Sequence, residues 1–189
     1  MAENELAEVV LQHVNEMRKA GGFPGEQALN RLAAQIAKVF KGRKDEVALL
    51  RLSPDGKVLR FIFPVRLSKV GAIPISTENS LAAKTAREGE GEIVNDFLLF
   101  RHATVFESVN LSESERASPI HKIMSVPMMA DGKVVGVIQV SRKGRMTEPI
   151  GEDFTPQDLF NLTAAGKILG AYFSTVPAEP PKPSPVGSR

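Results

Sequence analysis

Apolar residues recur at helical spacing near both ends of this chain, and alternate or run together in its middle. Over residues 4–20, Leu6, Val10, His13 and Met17 fall on one stripe, supported by Val9 and Val14, so the spacing predicts a helix. Gly21-Gly22-Phe23-Pro24-Gly25 breaks it. A second helix is predicted from about Glu26 to Lys41, with Leu29, Leu32, Ala33, Ile36, Val39 and Phe40 on its apolar side. Neither helix has much core to itself, so each must pack on something else. The period then shortens to that of strands. Val47–Leu52 and Val58–Phe63 flank Ser53-Pro54-Asp55-Gly56, where proline presets one turn φ and glycine supplies a positive one. This predicts a hairpin. Arg51 and Arg60 interrupt its strands, which implies a sheet face not wholly buried in hydrocarbon.

Residues 64–78, with Pro64, Gly71 and Pro74, read as a loop. Asn79 or Ser80 can cap a short helix over Leu81–Glu88, which Gly89 ends. Glu92–Asp96 reads as a short edge strand or extended segment. Between 97 and 119, Phe97, Leu98, Leu99, Phe100 and Phe106 are apolar, whereas Asn110–Ser118 is polar. A connection this long between strands is often functional. Two apolar runs then flank Asp131-Gly132, a dipeptide that accepts positive φ and closes a second hairpin. Thr155 caps a final helix, with Pro156 in its first turn and Asp158 three residues after the cap. That helix carries Leu159, Leu162, Gly166, Leu169 and Phe173 on one stripe, and Phe160, Ala164, Ile168 and Ala171 on another. A helix apolar on two sides must be covered on two sides: by the sheet, and by the N-terminal helices of this chain or of a second copy. The expected division is an N-terminal packing or dimerisation helix over 1–25, a domain over 26–175, and a disordered proline-rich tail over 176–189.

Composition narrows the chemistry. The 189 residues are 42% hydrophobic and 24% charged, ordinary for one soluble domain with a sizeable core. A formal net charge of +2 is too small to imply a polyanionic partner, so no nucleic acid is expected. Cysteine is absent, which excludes disulfides, thiolate metal sites and Cys nucleophiles. No run approaches the roughly 18–20 apolar residues of a membrane span. The acidic N-terminus also lacks a secretory layout, so a cytoplasmic protein away from the membrane is expected. His13, His102 and His121 are too scattered for a metal site, and neither a Gly-x-Ser-x-Gly elbow nor a P-loop occurs. Glu88, Glu90 and Glu92 are separated by glycines, the mark of a solvated turn. The basic clusters Lys41–Lys44 and Arg142–Arg145 lack interleaved aromatics and read as solubilising loops. The expectation is therefore no catalytic residue, no metal and no cofactor.

From about Ala28 to Phe173 the element order is helix, two strands, connection, short helix, extended segment, two strands, helix. Ile75–Gly89 holds a Ser-x-Ala-like pattern before a Glu-Gly helix stop, Val94-Asn95-Asp96 follows, and Ser125-Val-Pro-Met and Gly132-Lys-Val-Val-Gly-Val complete the set. In this order the segments resemble a GAF domain, the small-ligand and dimerisation module of signalling proteins. The resemblance implies an α/β (α+β) fold: a central antiparallel sheet, terminal helices on one face, and short helices and loops on the other. Bilin-binding members use Cys or a characteristic His, and free methionine sulfoxide reductases of this fold need Cys; this chain has no Cys and no matching His context. Cyclic-nucleotide-binding members carry Asn-Lys, Phe and Asp-Glu where this chain has Arg142-Lys143, Phe154 and Asp158-Leu159, so that ligand is not expected.

The resemblance also implies a pocket between the sheet and the middle elements. Its candidate ligand-binding residues here are Arg60, Phe61, Phe63, Asn79, Ala82, Thr85, Asn95, Asp96 and Phe106. Phe61 and Phe63 are expected to share a strand face, Asp96 to orient a donor group, and Arg60 to pair with an anion if it points inward. Otherwise the phenylalanines fill a core, and Asn95 and Asp96 satisfy backbone amides in a turn. Two functions stay open: a non-catalytic sensory or regulatory domain that couples a small ligand to helix-mediated homodimerisation, or an interaction module whose pocket is filled by its own side chains. In either case the output comes from a signalling partner that the sequence does not name.

Overall fold

The structure, a computed structural model, describes residues 4–69, 71–99 and 118–177. Helix α1 (Glu5–Ala20) starts at Asn4, whose Oδ1 accepts the Ala7 N–H at 3.1 Å. Helix α2 (Glu26–Val39) stops two residues before the predicted Lys41, which instead adopts a φ of 53°. Strands β1 (Val47–Leu52) and β2 (Val58–Phe63) form the first predicted hairpin. The segment read as a loop contains a 3₁₀ turn at Val65–Lys69 and a short strand, β3 (Ala72–Pro74). Pro74 is tolerated because β3 lies at the sheet edge, where a missing N–H breaks no ladder. Helix α3 (Leu81–Glu88) takes Ser80 as its cap and Gly89, in the left-handed region, as its stop. Strand β4 (Glu92–Val94) is followed by β5 (Ile120–Ala130), β6 (Lys133–Lys143) and helix α4 (Pro156–Phe173).

The six strands form one antiparallel sheet in the order β3-β2-β1-β6-β5-β4. Helices α1, α2 and α4 cover one face. Their core is a single apolar cluster that includes Val10, Val14, Leu32, Ile36, Leu49, Met124, Ile138, Leu162 and Leu169. Glycine permits the closest helix–sheet approach. A Cβ added at Gly170 would lie 2.2 Å from the Met129 carbonyl, and one at Gly166 would lie 2.7 Å from that of Pro127. α1 of the same chain packs on α4. The second apolar stripe of α4 nevertheless keeps an open side: Phe160 is 66% exposed, Ala171 is exposed, and Ala164 and Ile168 are half-buried.

Helix α3 packs on the other face, against β5 and β6. Here the apolar residues split into two clusters, one around Leu50, Leu59, Ala83 and Val137, the other around Leu81, Val94, Phe97 and Ile123.

Two β-bulges decide which residues face which side. In the β1–β2 ladder Leu50 pairs with Phe61 but Leu49 pairs with Phe63, so Ile62 is an extra residue. The extra residue inverts the alternation. Phe61 packs in the α3-side cluster, whereas Phe63 lies in the helix-side core, contrary to the expectation that they share a face. Arg60 is opposite Arg51, whose guanidinium sits 5.6 Å over the Phe173 ring on the helix side. Directly opposed residues point the same way, so Arg60, which is exposed, lies on the helix side and not toward the α3 face.

At one end of the sheet the buried Glu46 carboxylate accepts the backbone N–H groups of Arg43 and Lys143, both at 2.7 Å, which ties the α2–β1 connection to β6. Among the described residues, no helix is long and apolar enough to cross a membrane.

Candidate functional site

Across the α3 face, Ala48, Gln139, Ser125 and Glu92 stand side by side as register partners on β1, β6, β5 and β4. This polar row separates the two apolar clusters. The second bulge, in the β5–β6 ladder, creates the alignment. Pairing runs Ala130↔Lys133 and Met129↔Val134, then skips to Met128↔Gly136, so Ser125 meets Gln139 rather than Ile138.

Helix α3 supplies the upper half of the site. Ser80 Oγ accepts the Ala83 N–H at 3.2 Å and fixes the helix start. One turn on, the buried Thr85 hydroxyl donates to the Leu81 carbonyl at 2.9 Å and lies 2.7 Å from Ser125 Oγ. Gln139 Nε2 donates to the same Ser125 Oγ at 3.1 Å. At the row's end Lys84 Nζ lies 2.6 Å from Glu92 Oε2, and this hydrogen bond raises the Lys84 pKa above its ordinary value. Ser125 and Thr85 are buried, whereas Ala48, Gln139 and Glu92 are half-buried. Glu92, the carboxylate of the row, is bound to Lys84, and among the described residues no base is directed at either hydroxyl. Among the described residues no group of three or more His, Asp or Glu could hold a metal ion. What the row offers is hydrogen bonding and shape.

The residues expected from the sequence scatter around this row. Thr85 belongs to it, while Ala82 and Phe61 pack in the apolar cluster beside it. Asn79 is exposed in the turn ahead of α3. Asn95 is bound elsewhere: its Nδ2 donates to the Phe154 carbonyl at 3.1 Å and its Oδ1 accepts the Phe154 N–H at 3.0 Å. It thus pins the segment leading into α4 to the end of β4. Asp96 is exposed. Phe63 and Arg60 lie on the opposite face, and Phe106 lies outside the described residues. Ser125, Gln139 and Ala48 were not among the expected residues. Their signal was faint: one polar residue inside each of the apolar runs 123–130 and 134–140, and one small residue in β1.

A second group of polar residues gathers at the far end of β6, where the two basic clusters meet. Lys41 lies 3.9 Å from Glu152, Arg43 lies 3.2 Å from Asp45, and Lys143 Nζ donates to the Asp45 carbonyl at 2.6 Å. These cations are largely compensated within the fold.

The family model for the GAF domain matches residues 24–171, well over half of the chain. The chain belongs to the GAF family. This is a family of signalling and regulatory domains. Solved structures agree on the fold. The GAF domain of an Acinetobacter phosphoenolpyruvate-protein phosphotransferase superposes with a TM-score of 0.63 at 17% identity, covering 92% of this chain and 95% of that one. The corresponding domain from Coxiella burnetii gives 0.63 at 11% identity, covering 89% and 92%. A free methionine-R-sulfoxide reductase from Neisseria meningitidis, solved with its substrate, gives 0.56 at 18% identity, covering 89% and 88%. No curated protein matches the chain.

In this GAF domain the positions that resemble the cyclic-nucleotide motif hold the fold together. The Arg142 guanidinium lies 4.6 Å over the Phe154 ring, the Lys143 backbone N–H serves Glu46, and Asp158 closes a capping box with Thr155. The GAF fold also hosts an enzyme, the reductase named above; this chain contains no cysteine.

Proposed function

We propose that this GAF domain is a non-catalytic sensory or regulatory module that binds a small molecule on the α3 face and relays its occupancy to the helices on the other side. One observation carries this reading: a half-buried amide, Gln139, beside the small Ala48, in a polar row between two apolar clusters. A mostly apolar surface with a few convergent polar groups is the usual makeup of a small-molecule site. The relay needs no long path. Ser125 lies between Met124 and Val126, and Gln139 between Ile138 and Val140; all four of these neighbours belong to the core beneath the helices. Alternation along a strand therefore sets each site residue back to back with helix-side packing. A ligand that favours one helix arrangement over another then shifts the population.

The response is read as helix-mediated homodimerisation through α1 and α4. Phe160, at 66% exposure, and Leu11, at 45%, leave apolar surface on those helices for a second copy to cover. A cytoplasmic setting and a signalling protein partner complete the reading, with no role for nucleic acid or membrane. The alternative is an interaction module without a ligand; it draws on Phe61, which already packs against the Leu50 cluster and fills part of that face.

Native mass spectrometry of protein purified from its own host, followed by a thermal-shift screen, tests the reading. A co-purifying or stabilising small molecule whose effect is lost in Ala48→Phe supports the sensor. An empty protein that no compound stabilises supports the interaction module. Light scattering should give about twice the 20.5 kDa chain mass, and a strict monomer at tens of micromolar would refute the dimer.

A further inference from the structure

We infer that the site on the α3 face selects a neutral molecule carrying an adjacent hydrogen-bond donor and acceptor, such as a primary amide, a lactam or a nucleobase edge, and that Gln139 reads that pair. The inference rests on the ligand-binding reading above and adds the chemistry of the ligand.

Proton direction along the row carries the argument. The Leu81 carbonyl can only accept, so the Thr85 hydroxyl hydrogen is committed to it. In the 2.7 Å contact between the two hydroxyls, Ser125 must then be the donor. With its own hydrogen spent, Ser125 Oγ can only accept from the next group, and Gln139 supplies an Nε2–H at 3.1 Å. The reverse amide orientation would set Oε1 against an oxygen with no hydrogen left to give. The chain Gln139 to Ser125 to Thr85 to Leu81 therefore fixes which way the amide points.

We take the N–H trans to Oε1 as the one given to Ser125; Oε1 and the N–H cis to it then stand side by side on one planar group, and neither has a partner among the described residues. That pair complements another cis donor–acceptor edge, in the bidentate manner by which glutamine contacts adenine. It does not suit an anion, because a carboxylate or phosphate placed at the N–H also meets the lone pairs of Oε1. Among the described residues the row also has no free countercharge: Lys84 is held by Glu92, and Arg60 lies on the opposite face. Ala48, opposite Gln139 on β1, carries only a methyl group there, whereas a larger side chain would crowd the amide.

Matched amide and acid probes separate the possibilities. Nicotinamide and benzamide are compared with nicotinate and benzoate, together with uracil and adenine, by thermal shift on the full chain and on Gln139→Met and Ala48→Phe. The expected result is a concentration-dependent rise of about 2 °C or more with at least one neutral probe, absent with its carboxylate counterpart and absent in Gln139→Met. Should Gln139→Met fold poorly, the side-chain amide resonances of Gln139 in the unsubstituted protein serve instead, and must shift on adding the neutral probe. A carboxylate that stabilises as well as its amide overturns the inference. So does a neutral-probe rise that survives Gln139→Met yet is lost in Ala48→Phe; in both cases the site itself stands. No response to any probe also overturns the inference, and an empty protein by native mass spectrometry then removes the ligand-binding reading as well.

Discussion

The two faces of the sheet are built from the same strands yet solve different problems. Beneath the helices, one apolar cluster runs without a break from α1 to β2, with Tyr172, Phe173, Leu162 and Ile138 all fully buried. Beneath α3 the apolar residues fall into two clusters, and the space between them carries hydroxyls and an amide. Burying that polar row in place of aliphatic groups forgoes hydrophobic stabilisation and adds the need to satisfy each polar atom. The contrast teaches a division of labour, in which the helix face supplies stability and the α3 face is free to carry chemistry. Asn95 crosses this division, since it stands at the end of β4 and holds the backbone of Phe154 just ahead of α4.

Breaking the continuous face should have the largest effect. Leu169→Ala empties a fully buried position in the helix-side core and is expected to cost about 2–5 kcal/mol, measured by urea unfolding. An unchanged midpoint would mean that this cluster is not the stabilising one. Next comes Gly170→Ala, whose new Cβ would lie 2.2 Å from the Met129 carbonyl and force α4 off β5. A loss of about 1–3 kcal/mol is expected from such overpacking, and a stabilised variant would contradict the close approach. Asn95→Ala removes two hydrogen bonds to Phe154 and should cost roughly 1–3 kcal/mol, with faster amide exchange in the first turn of α4. Its exposed neighbour supplies the control: Asp96→Ala should stay within about 0.5 kcal/mol of the parent.

On the divided face the effects shrink. Thr85→Val keeps the shape but takes away the acceptor of the Ser125 hydroxyl, for an expected loss of about 1 kcal/mol. A cost as large as that of Leu169→Ala would erase the distinction between the faces. Smallest of all is the β1–β2 turn, where the Ser53 hydroxyl, followed by the Lys57 backbone N–H, lowers the Asp55 pKa below its ordinary 3.8. A depressed carboxyl pKa contributes stability above the unfolded value and loses it as pH falls through the folded one. Asp55→Asn should therefore destabilise slightly near neutral pH and converge with the parent in acid, as read from urea midpoints across that range. A gap that widens in acid would reverse the assignment.

The sequence by itself determined the elements and their order. Both hairpins fall where Pro54-Asp55-Gly56 and Asp131-Gly132 demand positive φ, Ser80 and Gly89 bound α3, and Thr155 with Asp158 starts α4. These are local signals, each written in a few adjacent residues, and together they carry the family. Edge strand β3 escaped notice because three residues ending in proline give too short a period to read. Tertiary structure alone decided which side chains meet. Simple alternation sets Phe61 beside Phe63, and counting back from Asp131-Gly132 sets Ser125 against Ile138. A single extra residue, Ile62 in one ladder and Val135 in the other, inverts both assignments. Where a bulge forms depends on how the partner strand and the helices above it pack, and that information lies far away along the chain. The first bulge moved Phe63 away from the candidate site and the second brought Gln139 and Ser125 together, whereas Arg60 faces away from Phe61 by plain alternation.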